Sequence, residues 1–512
     1  MYLSKLIANL KNQKIIGDVN INIKSLNMNS KIKKPHCIFF CIDGTKTNAI
    51  MYLDEAIKNG AVCAVVNKKY YDYCKEKFNK PMPNNKRVLK GNKKYINKIT
   101  FVFVCDVRKA MAVISANFFN NPQKQLKIVG ITGTNGKTSC SYLIAGILKG
   151  FGKKVGIIGT SGVYIGQKKY DANMTTPDSI ELFEIFRKMV KAKIEYCIME
   201  VSAHAIFYNK IFGINFSVKA LTNVKSDHLD FFKTERNYAN VKQSFFNKND
   251  LCILNNDDKI GEKLSKKCKN LINFGKKHAI FKIFNIKLDI GKTEFKAKYK
   301  DKIYSIKTNL TGLFNVYNIS LAICCALCLG FDIKKIIDVV KCLKSVDGRF
   351  DVVFKDENLN IIIDYAHTSD SLKNVLETAK KISPNKNIIV FGCPGERDTK
   401  KRFFMGKLAT KFCDVVIFTS DNPASENPKR IMFEMEEGLK SAGKQTEYYK
   451  IEDRYKAIKK SISISKKIKQ SNILIVGKGT ENYQIVGNKK IQYCDYEAVK
   501  SILNDNKINL QK

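Results

Sequence analysis

The run Ile128–Leu148, IVGITGTNGKTSCSYLIAGIL, joins an apolar stretch to a glycine-rich turn, then to a lysine, a threonine and a helical pattern. At a strand–loop–helix junction of this kind, backbone N–H groups and a lysine ammonium can hold the β- and γ-phosphates of a nucleoside triphosphate. Gly133, Thr134, Asn135, Gly136 and Lys137 supply those parts here, and the Thr138 hydroxyl can reach a Mg²⁺ ion. The spacing is shorter than the common G-x-x-x-x-G-K-[ST] pattern. That pattern needs glycine at 131, where the chain has Ile131, and the glycines fall instead at 130, 133 and 136. Nucleotide binding follows from the loop; what is done with the nucleotide does not.

Further candidates fall at the ends of other apolar runs. Glu200 ends YCIME, a position suited to a second Mg²⁺ ligand. His228 lies between acids in LTNVKSDHLDFF, and of the five histidines His204, His228 and His367 each follow a run of strand length. Lys242, in YANVKQSFF, comes fourteen residues after His228.

Elements that could position these residues alternate along the chain. Short apolar runs (HCIFFCIDG, AVCAVV, ITFVFVCD) mark a first region, residues 1–105, interrupted by the polar insert KFNKPMPNNKRVLKGNKKYINK, read as a surface loop. A second region, 106–345, alternates strands such as KVGIIG, EYCIMEVS, VKALTNV and DLCILNND with helical stretches, the pattern of a mostly parallel sheet. A third, 346–512, repeats the alternation with NIIIDYA, NIIVFGC, DVVIFTS and NILIVGKG, each ending where ligand sites form in open α/β sheets. The opening MYLSKLIANLKNQK reads as an amphipathic helix.

Composition narrows the class. The chain has 512 residues, 44% of them apolar, with no run long enough to span a membrane. Its sixteen cysteines are scattered through apolar segments, as reduced buried thiols are, so a cytoplasmic protein is expected. The closest group, Cys324, Cys325 and Cys328, lacks a second pair at zinc spacing. The net charge of +43, from 90 Lys+Arg against 47 Asp+Glu, is spread as lysine along the whole length. It is read as a field that draws in phosphorylated substrates, with no nucleic acid and no membrane insertion expected.

Taken in order, GTNGKT, TTPD (175–178), MEVSAHA, TNVKSDHLDF and Lys242, then FNVYN (314–318), GRFDVV (348–353), DYAHTSDSL (364–372), GERDTKKR (395–402) and DNPASENP (421–428) resemble the signature of the Mur ligases. These are ATP-dependent amide ligases of peptidoglycan precursor synthesis. TTPD, DYAHTSDSL, the DNP element and GKGTENYQ are similar to the MurE branch, which adds the third amino acid to UDP-MurNAc-L-Ala-D-Glu. The resemblance implies an α/β protein of three domains: a small N-terminal UDP-binding domain, a central P-loop ATPase-like domain and a C-terminal Rossmann-like domain. It also implies a monomer whose substrates are the UDP-MurNAc-dipeptide and an amino acid.

The implied reaction activates a carboxylate with ATP to an acyl phosphate, which an amine then attacks. Gly133 to Lys137 would cradle the phosphates, Thr138 and Glu200 would hold one Mg²⁺, and His228 the other. Lys242 would carry a CO₂-derived carbamate that helps place the metal. Asn315 and Asn318 resemble adenine-side residues, and Arg349 and Asp364 those that close over ATP. Ser30 and Thr45, with Lys46, match the uridine contacts, while Thr175, Thr176, Ser202 and Lys210 match those to the muramoyl-dipeptide. The chain departs from the pattern at Lys31, Asn48, Ala49, Ala203, Lys210 and Thr480.

Arg397, Asp421, Asn422, Gly477 and Glu481 match the amino-acid pocket. Diaminopimelate-adding members typically read D-N-P-R, and this chain has Ala424 in the arginine's place. A distal carboxylate without that guanidinium would be desolvated and poorly paired, at about 2–4 kcal/mol. L-Lysine is therefore the expected substrate, with Asp421, Glu426 and Glu481 as receivers of its ammonium. meso-Diaminopimelate, ornithine, a related amide ligase with another substrate, and a non-catalytic relative stand as alternatives.

Overall fold

A computed structural model describes residues 1–44, 47–78, 99–172, 174–383 and 385–505. Two compact units emerge: Met1–Gly130 with Gly152–Ser217, and Ile131–Phe151 with Val218–Lys512. The chain passes from the first to the second inside the strand Lys127–Thr132.

In the first unit a five-stranded sheet has the order Lys14–Ile16, Thr100–Val104, Ala61–Asn67, Cys37–Phe40, Ser25–Asn27, parallel except for the first pair. Its three inner strands are mostly apolar because both faces are covered. Ile38, Phe40, Val102 and Val104 face a core with Leu3, Leu6 and Met111, while Phe39, Phe101 and Phe103 face one with Leu53 and Ala56. The opening segment forms a helix only over Leu3–Ile7. The Leu3 and Ser4 N–H groups bond to Ile21 and Val19 carbonyls, and Lys14–Ile16 is drawn into the sheet, so tertiary pairing overrides the helical pattern. The same unit carries Tyr196–Glu200 parallel to Val155–Gly159, from which the hairpin strands Gly162–Ile165 and Lys168–Tyr170 continue antiparallel.

In the second unit, parallel strands Val218–Leu221, Leu251–Asn255 and Asn270–Gly275 lead into an antiparallel meander of Phe281–Asp289, Lys292–Tyr299 and Lys302–Thr308. Helix Lys137–Gly150 lies beside Leu313–Cys328, whose Cys324 and Cys325 are fully buried core thiols. A separate six-stranded sheet follows in the order Asp351–Lys355, Leu359–Asp364, Ser471–Val476, Lys386–Phe391, Val415–Phe418, Glu447–Lys450, parallel after its first pair. Two apolar cores cover its faces.

A buried asparagine row pins the register of that sheet. The Asn360 amide donates to Asn472 Oδ1 and the Asn472 amide to Asn387 Oδ1, each at 2.9 Å, across three central strands. A one-residue slip would leave these groups unpaired in the core. The opposite, C-terminal ends of two of these strands carry Asp364 and Gly477, and Asp421 follows the neighbouring strand Val415–Phe418. Among the described residues, no helix is long and apolar enough to cross a membrane.

Candidate active site

The turn between Thr132 and Lys137 needs its glycines. Gly133 has φ +149° and Gly136 φ +88°. A Cβ on Gly133 would collide with Thr222 Oγ1, and one on Gly136 would come 2.6 Å from Asn318 Oδ1. Helix Lys137–Gly150 begins at Gly136 with no side-chain cap, so the N–H groups of its first turn are not taken by a capping side chain and can meet an anion. The loop's outer side is fixed by the strand end at 222–223. Thr134 N donates to Asn223 O at 2.8 Å, Asn135 N to Asn223 Oδ1 at 3.1 Å, and Thr222 Oγ1 to Asn135 O at 2.6 Å. The sequence reading missed Thr222 and Asn223, which hold the loop by hydrogen bonds alone.

Two lysines converge on one loop carbonyl. Lys137 Nζ donates to Gly133 O at 2.9 Å and Thr134 O at 2.8 Å, and Lys242 Nζ donates to the same Gly133 O at 2.9 Å. Lys242, on helix Glu235–Gln243, is 1% exposed. Burial, then the Lys137 charge, lowers its pKa well below that of an ordinary lysine; Asp227 opposes them. Its ammonium is thus more readily deprotonated than that of an ordinary lysine. Tyr238, also missed from sequence, ties the cluster together. Its ring lies 4.8 Å from Lys242 Nζ, its hydroxyl 3.2 Å from Thr134 Oγ1, and the His228 ring 6.3 Å away. His228 is half exposed at φ +53°, with Nε2 3.5 Å from Asp227 Oδ2.

On the same unit Asn315 and Asn318 sit on one helix face, the Asn318 amide donating to Asn315 Oδ1 at 3.2 Å. Arg349 donates through Nη2 to Thr138 Oγ1 at 3.5 Å, with its guanidinium 4.5 Å from the centre of the Tyr365 ring. Asp364 accepts from the Phe350 and Ala366 N–H groups at 2.6 and 2.7 Å. Burial nevertheless pushes its carboxyl up to about 6, against the lowering pull of Arg349 and those two donors.

A raised carboxyl binds its proton more tightly folded than unfolded, so its contribution to stability is full below about pH 4 and is lost as pH rises through about 6. Wild-type protein should therefore lose on the order of 3 kcal/mol relative to Asp364→Asn over that window. Denaturant melts of both proteins at pH 4.5 and 7 measure the larger part of it, about 2 kcal/mol. An unchanged difference would show that the carboxyl ionises normally.

The first unit gathers a second set. Glu200 is 1% exposed at the end of its strand, and its carboxylate accepts from Thr160 N at 3.1 Å and Thr160 Oγ1 at 3.2 Å. A Cβ on Gly159 would collide with Glu200 Oε1, which explains a glycine there. Thr176 Oγ1 donates to Glu200 O at 2.8 Å and accepts from Ser202 N at 3.1 Å, and Thr175 Oγ1 is 3.0 Å from Thr160 Oγ1. Lys210 is 7% exposed and bridges to Asp178 at 3.1 Å. Ser30 lies apart from this set, its hydroxyl on Glu55 at 2.5 Å. Thr45 and Lys46 lie outside the described residues.

In the six-stranded sheet, Asp421, Asn422, Gly477 and Glu481 come together. The Asn422 amide donates to Glu481 Oε2 at 2.9 Å, and a Cβ on Gly477 (φ +116°) would meet Asp421 Oδ2 at 2.5 Å. Arg397 lies instead in an exposed turn. Lys478, absent from the sequence reading, is fully buried, with Nζ 3.2 Å from Asn422 Oδ1 and 3.0 Å from Glu481 Oε2.

Among the described residues, no three His, Cys, Asp or Glu side chains form a ready metal cage.

The Mur ligase middle-domain profile matches residues 131–326, and the Mur ligase glutamate-ligase-domain profile matches 348–479. The UDP-N-acetylmuramoyl-L-alanyl-D-glutamate–2,6-diaminopimelate ligase 1 of Clostridium acetobutylicum is 39% identical over 99% of this chain and 100% of that protein. The corresponding ligase of Clostridium botulinum is 37% identical over 94% and 95%. A solved 2,6-diaminopimelate ligase of the same name superposes with a TM-score of 0.67 at 24% identity, covering 99% of each chain. MurF ligase from Thermotoga maritima, in complex with ADP, superposes with a TM-score of 0.60 at 19% identity over 94% and 97%. The fold is thus that of three-domain, mostly parallel α/β ligases.

The names of these relatives overturn the L-lysine expectation. That expectation took Ala424 to mean an anionic pocket. Here Lys478 places a cation beside Asn422 and Glu481, and Glu426 is occupied by Arg402 at 2.8 Å. Burial also pushes the Asp421 carboxyl up to about 6. A missing arginine at 424 therefore does not make the pocket one for a lone ammonium.

Proposed function

We propose, on the premise that this chain belongs to the Mur ligase family and to its MurE branch, that it is the ATP-dependent ligase joining 2,6-diaminopimelate to UDP-MurNAc-L-Ala-D-Glu. The observation that supports this most is the convergence of Lys137 and Lys242 on the Gly133 carbonyl, in a chain that aligns end to end with 2,6-diaminopimelate ligases. A cytoplasmic monomer suits nucleotide-linked, charged substrates. The domains would be 1–105 for the UDP-sugar, 106–345 for ATP and 346–512 for the amino acid.

The chemistry divides among the residues described. The uncapped start of helix Lys137–Gly150 and the Lys137 ammonium would receive the phosphates, exchanging loop carbonyls for phosphate oxygens. The substrate carboxylate attacks the γ-phosphorus, ADP leaves, and the diamino acid's amine displaces phosphate from the acyl phosphate. Thr138, Glu200, His228 and an N-carboxylated Lys242 are the donors available for Mg²⁺, which would neutralise charge on the transferring phosphoryl group. A neutral Lys242 amine adds to CO₂ with release of one proton, turning a cation that repels metal into an anion that attracts it. Arg349, on Thr138 and Tyr365, would add a second positive charge for the phosphoryl group. Asn315 and Asn318 would face the adenine. Ser30, Thr45, Thr175, Thr176, Ser202 and Lys210 would hold the nucleotide-sugar dipeptide. Arg397, Asp421, Asn422, Gly477 and Glu481 would hold the incoming amino acid.

The test is phosphate release from ATP and Mg²⁺ with UDP-MurNAc-L-Ala-D-Glu, with and without 2,6-diaminopimelate. Release that depends on the diamino acid is expected; none with it would discard the reading. In the same assay Glu200→Gln should raise the Mg²⁺ concentration for half-maximal rate about ten-fold, since one carboxylate ligand becomes a neutral amide. An unchanged Mg²⁺ requirement would remove Glu200 from the metal.

A further inference from the structure

2,6-Diaminopimelate carries an α-amino-acid head at each end. When one head enters the reaction, the other remains a zwitterion whose carboxylate and ammonium sit on one carbon. A receptor for it needs a cation and an anion side by side.

The residues around Ala424 supply both. Ala424 bridges to Val486: its N–H donates to Ile485 O at 3.1 Å, and Gly487 N donates to Ala424 O at 2.8 Å. Ile485 N donates to Asn422 Oδ1 at 3.0 Å. The segment 422–424 is thereby fastened to the hairpin of Tyr483–Val486 and Lys489–Gln492. In that hairpin Lys490 pairs with Ile485, so it shares a face with Ile485 and Tyr483, whereas Lys489, paired with Val486, points to the other face.

The Tyr483 ring has Lys490 Nζ 4.2 Å from its centre and Lys478 Nζ 5.6 Å from it. The two ammonium groups are not equivalent. Lys478 is fully buried and bound to Asn422 and Glu481. Arg402 and Arg454, the other buried cations nearby, are held by Glu426 with Glu434 and by Asp495. Lys490 is exposed and makes no ion pair among the described residues. The ring face already restrains its ammonium, which lowers the ordering entropy lost on binding.

Resting on the diaminopimelate reading above, we infer that Lys490 is the specificity-determining residue that pairs with the distal carboxylate of the incoming diamino acid, with Glu481 taking the adjacent ammonium. The cation thus comes from the hairpin bonded to Ala424, not from residue 424.

Steady-state kinetics on full-length wild type, Lys490→Ala, Lys490→Arg and Lys489→Ala test this, with the concentration of 2,6-diaminopimelate varied. Lys490→Ala should raise KM for diaminopimelate about ten-fold, while KM for ATP and for UDP-MurNAc-L-Ala-D-Glu stays within two-fold. Lys490→Arg should restore most of the loss, and Lys489→Ala should match wild type. A KM for diaminopimelate within two-fold of wild type in Lys490→Ala overturns the inference and leaves the proposed function standing, as does an equal rise in Lys489→Ala. Wild-type protein inactive with diaminopimelate overturns both.

Discussion

Lys242→Ala is expected to lower kcat by about three orders of magnitude, the scale seen when a group that stabilises transition-state charge is removed. The argument begins with burial. An ammonium that is 1% exposed, with the Lys137 charge on the same carbonyl, is held in a setting that disfavours its charge. A structural lysine would gain one hydrogen bond to the Gly133 carbonyl against the cost of a buried charge, whereas a neutral amine there can take up CO₂ and become an anion beside the phosphate loop. Lys242→Arg separates the alternatives, because guanidinium stays charged and cannot be N-carboxylated. It should be as inactive as the alanine variant. Wild-type protein depleted of CO₂ should lose activity and regain it with added bicarbonate. A Lys242→Arg protein with near-normal turnover would mean that residue 242 contributes only positive charge.

Arg454→Ala should destabilise the C-terminal sheet by about 3–5 kcal/mol, the penalty for leaving a buried charge without its partner. Arg454 and Asp495 are both fully buried and joined by two hydrogen bonds of 2.8 Å, and Arg454 also donates to Val476 O at 3.1 Å. That carbonyl precedes Gly477 at the amino-acid pocket, and the Arg454 charge opposes the burial that raises Asp421. Loss of Arg454 should therefore also raise KM for the amino acid. The double substitution Arg454→Met with Asp495→Leu should recover most of the stability, since two apolar side chains leave no charge unpaired. Denaturant unfolding followed in the C-terminal region measures both. A loss below about 1 kcal/mol in Arg454→Ala would mean that water reaches Asp495 and solvates it.

Much of the architecture was legible because it is written in local chemistry. Period-two and continuous apolar runs mark the parallel strands, and glycine is required at 133 and 136 by positive φ and close neighbours. The ordered motifs resemble the family that the relatives then show. The antiparallel meander after Gly275 and the hairpin at 483–492 were not read, because their lysine-rich alternation looks like solvated surface until the strands pair. The opening helix was read too long, since a strand partner 89 positions away at Phe103 claims Lys14.

The sequence alone determined which residues stand beside which along the chain, and so the phosphate loop, the α/β class and the family. Only the tertiary structure decided the charge states and fields that set chemistry. Lys242 looks like any lysine until Tyr238 and the Gly133 carbonyl bury it, and Asp364 and Asp421 look like ordinary carboxyls until burial raises them to about 6. The reading of Ala424 failed for the same reason. One residue type was taken for the potential of a pocket whose cations, Lys478 and Lys490, come from segments more than fifty residues away. Electrostatic energy is a sum over neighbours in space, and a single sequence does not print that sum.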